Sequence, residues 1–203
     1  MKKRTPQDLY CDRVGKLVRD LLQDDFRSVS TERVSILEDF ATGTTRVKCE
    51  VRLGIESVVV DASGCGVVDA LLSGLRSLLS SQYYSFEDIF FEDFTMIVDP
   101  FSSRKRSGTD VAVRVGVVVG SSDRDSYHFY GDARSFNVAA IRATLNAVEY
   151  YLNCETAVYK LHQMIEDAKA RQRPELQQYV CQLSEIVRSA SYVKSIAEWK
   201  QKN

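Results

Sequence analysis

The chain has 203 residues, of which 44% are hydrophobic and 27% charged, and its formal net charge is −1. That is enough apolar material for one packed domain with appendages. The balanced charge excludes broad electrostatic attraction to nucleic acid or to an anionic membrane. No apolar run approaches the length of a bilayer span, and the opening Met1-Lys2-Lys3-Arg4 leads into polar residues rather than a signal segment, so a soluble, cytoplasmic protein with no membrane partner is expected.

Pro6 followed by Leu9, Tyr10, Val14, Leu17, Val18, Leu21 and Leu22 predicts one amphipathic helix ending near Gln23 to Phe26, its apolar stripe packed on the domain that follows. From Val34 the period changes to two. Val34, Ile36 and the segment Asp39-Phe40-Ala41-Thr42-Gly43 predict a first strand. Residues 46–53 alternate charged and apolar without a fault, a strand with one wet face. Gly54 turns the chain, 57–60 supplies a third strand, and Ala62-Ser63-Gly64-Cys65-Gly66 is expected to end it. Val67, Val68, Leu71, Leu72, Leu75, Leu78 and Leu79 then recur at helical spacing.

The same order is predicted again. Residues 89–98 are strongly β-prone and are stopped by Asp99-Pro100. After the basic loop Arg104-Lys105-Arg106, the next strand alternates Val111, Val113, Val115, Val117 and Val119 with Ala112, Arg114, Gly116 and Val118. A return strand passes through Tyr127 and Phe129 to Gly131. Ser135 is the candidate N-cap of a helix carrying Val138, Ile141, Leu145, Val148 and Leu152. The expected fold class is therefore α+β: duplicated β-β-β-α units, 33–82 and 88–152, with pseudo-two-fold symmetry inside a domain spanning 31–153. An N-terminal helix and linker, 1–30, precede it. A C-terminal extension, 154–203, reads as a helical hairpin, with one helix marked by Val158, Leu161, Ile165 and Ala168 and another opened by Pro174 and closed by Trp199.

The chemistry in the chain is sparse. Cys11, Cys49, Cys65, Cys154 and Cys181 are scattered without a C-x-x-C pair, which points to buried free thiols rather than disulfides or zinc. His128 and His162 are the only histidines and belong to no metal-binding or triad pattern, so no catalytic residue, metal site or cofactor is predicted. Glu87, Asp88, Glu92 and Asp93 read as a solvated strand edge. Gly64-x-Gly66 opens a helix whose first turn carries Asp69. Such a turn lets backbone approach closely and turns helix-start amides toward a carboxylate or phosphate, but the third glycine and the lysine of a nucleotide loop are missing.

Three motifs carry a family resemblance. Gly64-Cys65-Gly66-Val67-Val68-Asp69-Ala70 resembles the G-x-G-P-V-D-A turn of the C-terminal regulatory (LeuA dimerisation) domain of 2-isopropylmalate and citramalate synthases. Gly108-Thr109-Asp110-Val111-Ala112-Val113-Arg114-Val115 is similar to that family's G-T-D-A-x-A-R-V strand start, and Gly131 followed by a helix with Ala139, Ala140, Ala143 and Glu149-Tyr150 resembles its alanine-bearing helix. The resemblance covers 34–152. It implies a homodimer that binds a branched-chain amino acid, leucine or isoleucine, near Gly64, Gly66, Asp69, Gly108, Asp110, Ala112, Gly131 and Ala139, and that feedback-regulates an acyl-transferring synthase domain or subunit. Val111 and Phe136, bulkier than the family's residues, are expected to narrow or fill that pocket. The family's catalytic barrel, with its metal-binding H-x-H, is not in this sequence, so no condensation of acetyl-CoA with a keto acid is expected from this chain alone. Two other readings use the same residues: an assembly protein docking on a separate enzyme through its helical extensions, and, with less support, an RNA-binding module using Arg104 to Arg106.

Overall fold

A computed structural model of the protein describes residues 6–99, 112–121 and 124–188. The fold is α+β, two β-β-β-α units following a helix, α1 (Pro6–Leu22). The first unit is β1 (Val29–Asp39), β2 (Thr44–Leu53), β3 (Glu56–Gly64) and α2 (Val67–Leu79). A short helix, α3 (Ser85–Asp88), leads to the second: β4 (Ile89–Asp99), β5 (Ala112–Ser121), β6 (Arg124–Ala133) and α4 (Phe136–Ala170). A last helix, α5 (Leu176–Ile186), folds back on α4 and α1. The strands make two separate antiparallel sheets, β1-β2-β3 and β4-β5-β6.

The duplication extends to an irregularity that no hydrophobic pattern encodes. The first strand of each unit carries one extra residue at the same place: the β1–β2 register slips between Thr31 and Val34, opposite Val51 and Cys49, and the β4–β5 register slips between Phe91 and Asp93, opposite Val119 and Val118. Val51 and Val119 hold equivalent ladder positions. In β2 the alternation is borne out residue by residue, with Val47, Cys49, Val51 and Leu53 buried and Arg46, Lys48, Glu50 and Arg52 exposed. In β5 it fails toward the end, where Gly116, Val118 and Gly120 are covered as well as Val115, Val117 and Val119.

One hydrophobic core joins the units, and α4 is its axis, packing on α1, α2, α5, β5 and β6. Polar side chains along α4 hold the surrounding chain. Arg142 Nη1 donates to the Asp132 carbonyl at 2.6 Å and Asn146 Nδ2 to the Tyr130 carbonyl at 2.8 Å, satisfying the open edge of β6. Three and seven residues further on, Glu149 accepts the Val29 N–H at 2.8 Å, and Asn153 accepts the Arg27 N–H at 2.9 Å while donating to the Arg27 carbonyl at 2.8 Å. The helix thus grips β6 of its own unit and the lead-in to β1 of the other. Beyond them, the fully buried Glu155 accepts the N–H groups of Tyr84 and Ser85 and the Ser85 hydroxyl, fixing the start of α3 between the units.

Several sequence expectations are corrected. The first strand begins at Val29, not Val34. Val29 itself is buried, but the next four residues, Ser30 to Arg33, are polar, and the entry to the strand is tied to α4 through Glu149 and Asn153. Residues 40–43 are a turn, not strand. The Asp39 carboxylate accepts the N–H groups of Ala41 and Thr42, and Gly43 adopts a φ of +66°. The third strand continues to Gly64. Glu87 and Asp88 lie in α3, apart from the strand residues Glu92 and Asp93. Nor does the domain's last helix end near Leu152. It runs unbroken to Ala170, because Asn153 and Glu155, which look like a polar exit, are buried with partners. The stripe of Val158, Leu161, Ile165 and Ala168 continues α4, and Val158 and Leu161 belong to the common core. Trp199 and the basic loop at Arg104 to Arg106 lie outside the described residues.

On the outer face of each sheet an arginine near the start of the middle strand pairs with an aspartate on the third strand, Arg46 with Asp61 and Arg114 with Asp132, each with N–O contacts of 2.7 and 2.9 Å. The guanidinium partners hold both carboxyls below the usual carboxylate range. The associated stability is present above about pH 4 and is lost as pH falls through the depressed folded-state values. Urea midpoints are accordingly expected to decline below about pH 4, with a shallower decline in the double variant Asp61→Asn, Asp132→Asn. Because these pairs are exposed, the difference is expected to be small.

Candidate functional site

A pocket of about 570 Å³ lies where the two units meet. Four segments wall it: the β1–β2 turn, the start of α2, the Phe91 and Phe94 positions of β4, and the first residues of α4, Phe136 and Asn137. Each is shaped by local chemistry.

At the β1–β2 turn, the two backbone amides bound to Asp39 hold its carboxyl below the usual range. Glu38, immediately before it, is exposed beside the pocket and makes no hydrogen bond or ion pair among the described residues. At the start of α2, Gly64 is required by close approach. A Cβ there would lie 2.4 Å from Asp69 Oδ2 and 2.7 Å from the Ala70 nitrogen. Asp69, third residue of the helix, turns back to accept the Cys65 N–H at 2.9 Å and, at 3.4 Å, the Ser73 hydroxyl. Its carboxylate therefore closes its own helix start. Gly66 has an extended backbone that any residue adopts, and a Cβ on it would touch nothing within 4 Å, so the absence of a side chain leaves the pocket floor open.

Ser135 occupies the N-cap position of α4, as the sequence predicts, but its hydroxyl makes no capping hydrogen bond, and Gly66 has no side chain with which to cap α2. Neither N-cap residue supplies a capping side chain, but the α2 start carries the Asp69 carboxylate, so the start of α4, with no acidic residue in its first turn, is the less compensated locus of partial positive charge beside the cavity. The remaining lining is mostly apolar and aromatic, including Val67, Val68, Phe91, Phe94 and Phe136, with the polar Thr44, Thr45 and Asn137 and three acidic residues, Glu38, Asp39 and Asp69. Among the described residues no lysine, arginine or histidine lines it.

The structure brings some of the predicted site residues together and separates others. Gly66 and Asp69 line the pocket, and Gly64 lies directly behind Asp69. Phe136 lines it too and is exposed. Gly131 and Ala139 meet each other instead, in the packing of α4 on β6: a Cβ at Gly131 would lie 2.1 Å from the Ala139 carbonyl oxygen. Ala112 is exposed at the start of β5 and does not line the pocket. Gly108, Asp110 and Val111 lie outside the described residues.

Sequence reasoning missed Glu38, Asp39, Phe40, Phe91, Phe94 and Asn137. For the first three a signal existed, since Asp39 and Gly43 four residues apart are turn chemistry. For Phe91 and Phe94 there was none: the extra residue in β4 puts positions of odd spacing on the same side. Among the described residues no group of three or more potential metal ligands comes together, and no helix is long and apolar enough to cross a membrane. No protein-family model matches the chain, and no curated protein does.

Proposed function

We propose that this chain is a non-catalytic, dimerising regulatory domain similar to the allosteric domain of 2-isopropylmalate and citramalate synthases, and that it binds a branched-chain amino acid or a similar small zwitterion. The observation that carries the reading is the pocket between the units, where the starts of α2 and α4 meet an apolar lining. Helix-start amides suit a carboxylate, the acidic rim suits an ammonium group, and Val67, Val68 and Phe94 suit a branched aliphatic side chain. A cavity of about 570 Å³ is ample for such a ligand. Because its walls come from both units, a ligand seated there favours one arrangement of the units over another, and that preference is what a feedback device transmits to a catalytic partner. Apolar residues left exposed on the edge strand β4, Phe94, Met96 and Ile97, support self-association on that side.

Thermal unfolding in the presence of leucine, isoleucine, valine and the corresponding 2-oxo acids tests the proposal, with sedimentation velocity on the same samples. At a concentration one hundredfold above its dissociation constant a true ligand is expected to stabilise the protein by about 2.7 kcal/mol, a rise of several degrees in Tm. A dimer is expected in sedimentation. A flat response to every compound at millimolar concentration rules the ligand-sensing reading out.

A further inference from the structure

We propose that the pocket recognises its ligand through a cationic amine, with Glu38 as the residue that pairs with it, so that the site takes amino acids and apolar primary amines and rejects the matching 2-oxo acids. The inference rests on the reading of the pocket as a small-molecule site and specifies which end of the molecule decides binding.

The acids on the pocket wall differ in how far they are committed. Asp69 closes the start of α2 through the Cys65 N–H, and Asp39 holds its own turn through Ala41 and Thr42. Glu38 has no partner among the described residues. Three carboxylates around one cavity, with no basic side chain lining it among the described residues, make it a poor host for a net anion and a good one for a cation. The aromatic walls act in the same direction. Phe91, Phe94 and Phe136 line the cavity, and aromatic rings attract an ammonium through their faces while also packing against its hydrocarbon body. A 2-oxo acid has the same body and carboxylate as its amino acid but no ammonium. It brings a net negative charge into an acidic pocket with only helix-start amides to receive it.

The test is isothermal titration of the protein with leucine, 3-methylbutylamine and 4-methyl-2-oxopentanoate, repeated on Glu38→Gln. The Glu38 side chain is exposed and has no hydrogen-bond or ion-pair partner among the described residues, so this isosteric substitution is expected to leave the fold intact. Leucine and the amine are expected to bind and the oxo acid to bind at least about tenfold more weakly; Glu38→Gln is expected to weaken the amine by about fivefold and to leave any residual oxo-acid binding no weaker, since one repelling charge is gone. Binding of the amine without leucine would uphold the cation proposal and remove leucine as the regulatory ligand. An oxo acid that binds within threefold of leucine, or an amine affinity unmoved in Glu38→Gln, would overturn the cation proposal while leaving the regulatory reading in place. Silence from all three compounds would overturn both.

Discussion

Replacing Glu155 with alanine is expected to destabilise the protein by about 3–5 kcal/mol, a large share of the stability of an ordinary domain. Glu155 is fully buried on α4, and its carboxylate receives the Tyr84 N–H at 3.0 Å, the Ser85 N–H at 2.9 Å, the Ser85 hydroxyl at 2.6 Å and the Tyr159 hydroxyl at 3.1 Å. Alanine removes the acceptor of the two buried Ser85 donors, its N–H and its hydroxyl, and each buried group left unsatisfied costs about 1–3 kcal/mol. The fully buried Phe86 follows directly, so the loss extends into the core. Urea unfolding at neutral pH measures the effect. Glu155→Gln keeps one acceptor oxygen but turns an amide donor toward the same donors, so it is expected to fall between wild type and alanine. A loss below about 1 kcal/mol for Glu155→Ala would show that the interval between the units is held by other contacts.

Glu155 also marks the limit of what the sequence discloses. The units themselves were legible, because a strand with one wet face writes its burial as alternation and a helix on a sheet writes its as a stripe: Val47, Cys49, Val51 and Leu53, or Leu71, Leu72, Leu75 and Leu79, are buried as their spacing requires. The polar anchors were not. Asn153 and Glu155 reach across sequence separations of 126 and about 70 residues, chiefly to backbone groups, which look the same whatever the residue. A polar residue near the end of an apolar stripe therefore reads as an exit from the helix until the chain it satisfies is in place.

The pocket was legible by half for a related reason. Gly64-x-Gly66 and Asp69 stand in one continuous motif, and their conformation is local: the helix start, the reach of Asp69 back to Cys65 and the close approach at Gly64 involve only neighbours. The opposite wall comes from β4, where the register slip between Phe91 and Asp93 sets which rings face the cavity. Gly131 and Ala139 show the converse. They form a recognisable motif, and the structure uses them to bring α4 against β6. That contact has a counterpart in the first unit, since the registers and helix starts make Gly131 on β6 equivalent to Ala62 on β3, and Ala143 on α4 equivalent to Gly74 on α2.

The two units thus solve the same close approach with the glycine on opposite partners, and exchanging the solutions gives unequal results. Gly74→Ala places a Cβ 2.7 Å from Ala62 Cβ and 2.7 Å from Val60 Cγ1. Both obstacles are side-chain atoms, and alanine gains about 1 kcal/mol in helix propensity, so a net loss of about 1–2 kcal/mol is expected. Adding Ala62→Gly copies the second unit's arrangement, removes the first obstacle and is expected to restore most of that loss. Gly131→Ala meets backbone instead: 2.1 Å to the Ala139 oxygen and 2.6 Å to the Ala143 nitrogen. No side-chain truncation moves those atoms. The helix must lift from β6 and loosen the bonds of Arg142 and Asn146 to the carbonyls of Asp132 and Tyr130 on either side of Gly131. A loss of about 3 kcal/mol is expected, unrelieved by Ala143→Gly. Denaturant unfolding of the four variants decides the matter. If Ala143→Gly rescued Gly131→Ala as fully as Ala62→Gly rescues Gly74→Ala, the second helix would be seated by side-chain packing like the first, and the closer backbone approach in that unit would carry no energetic weight.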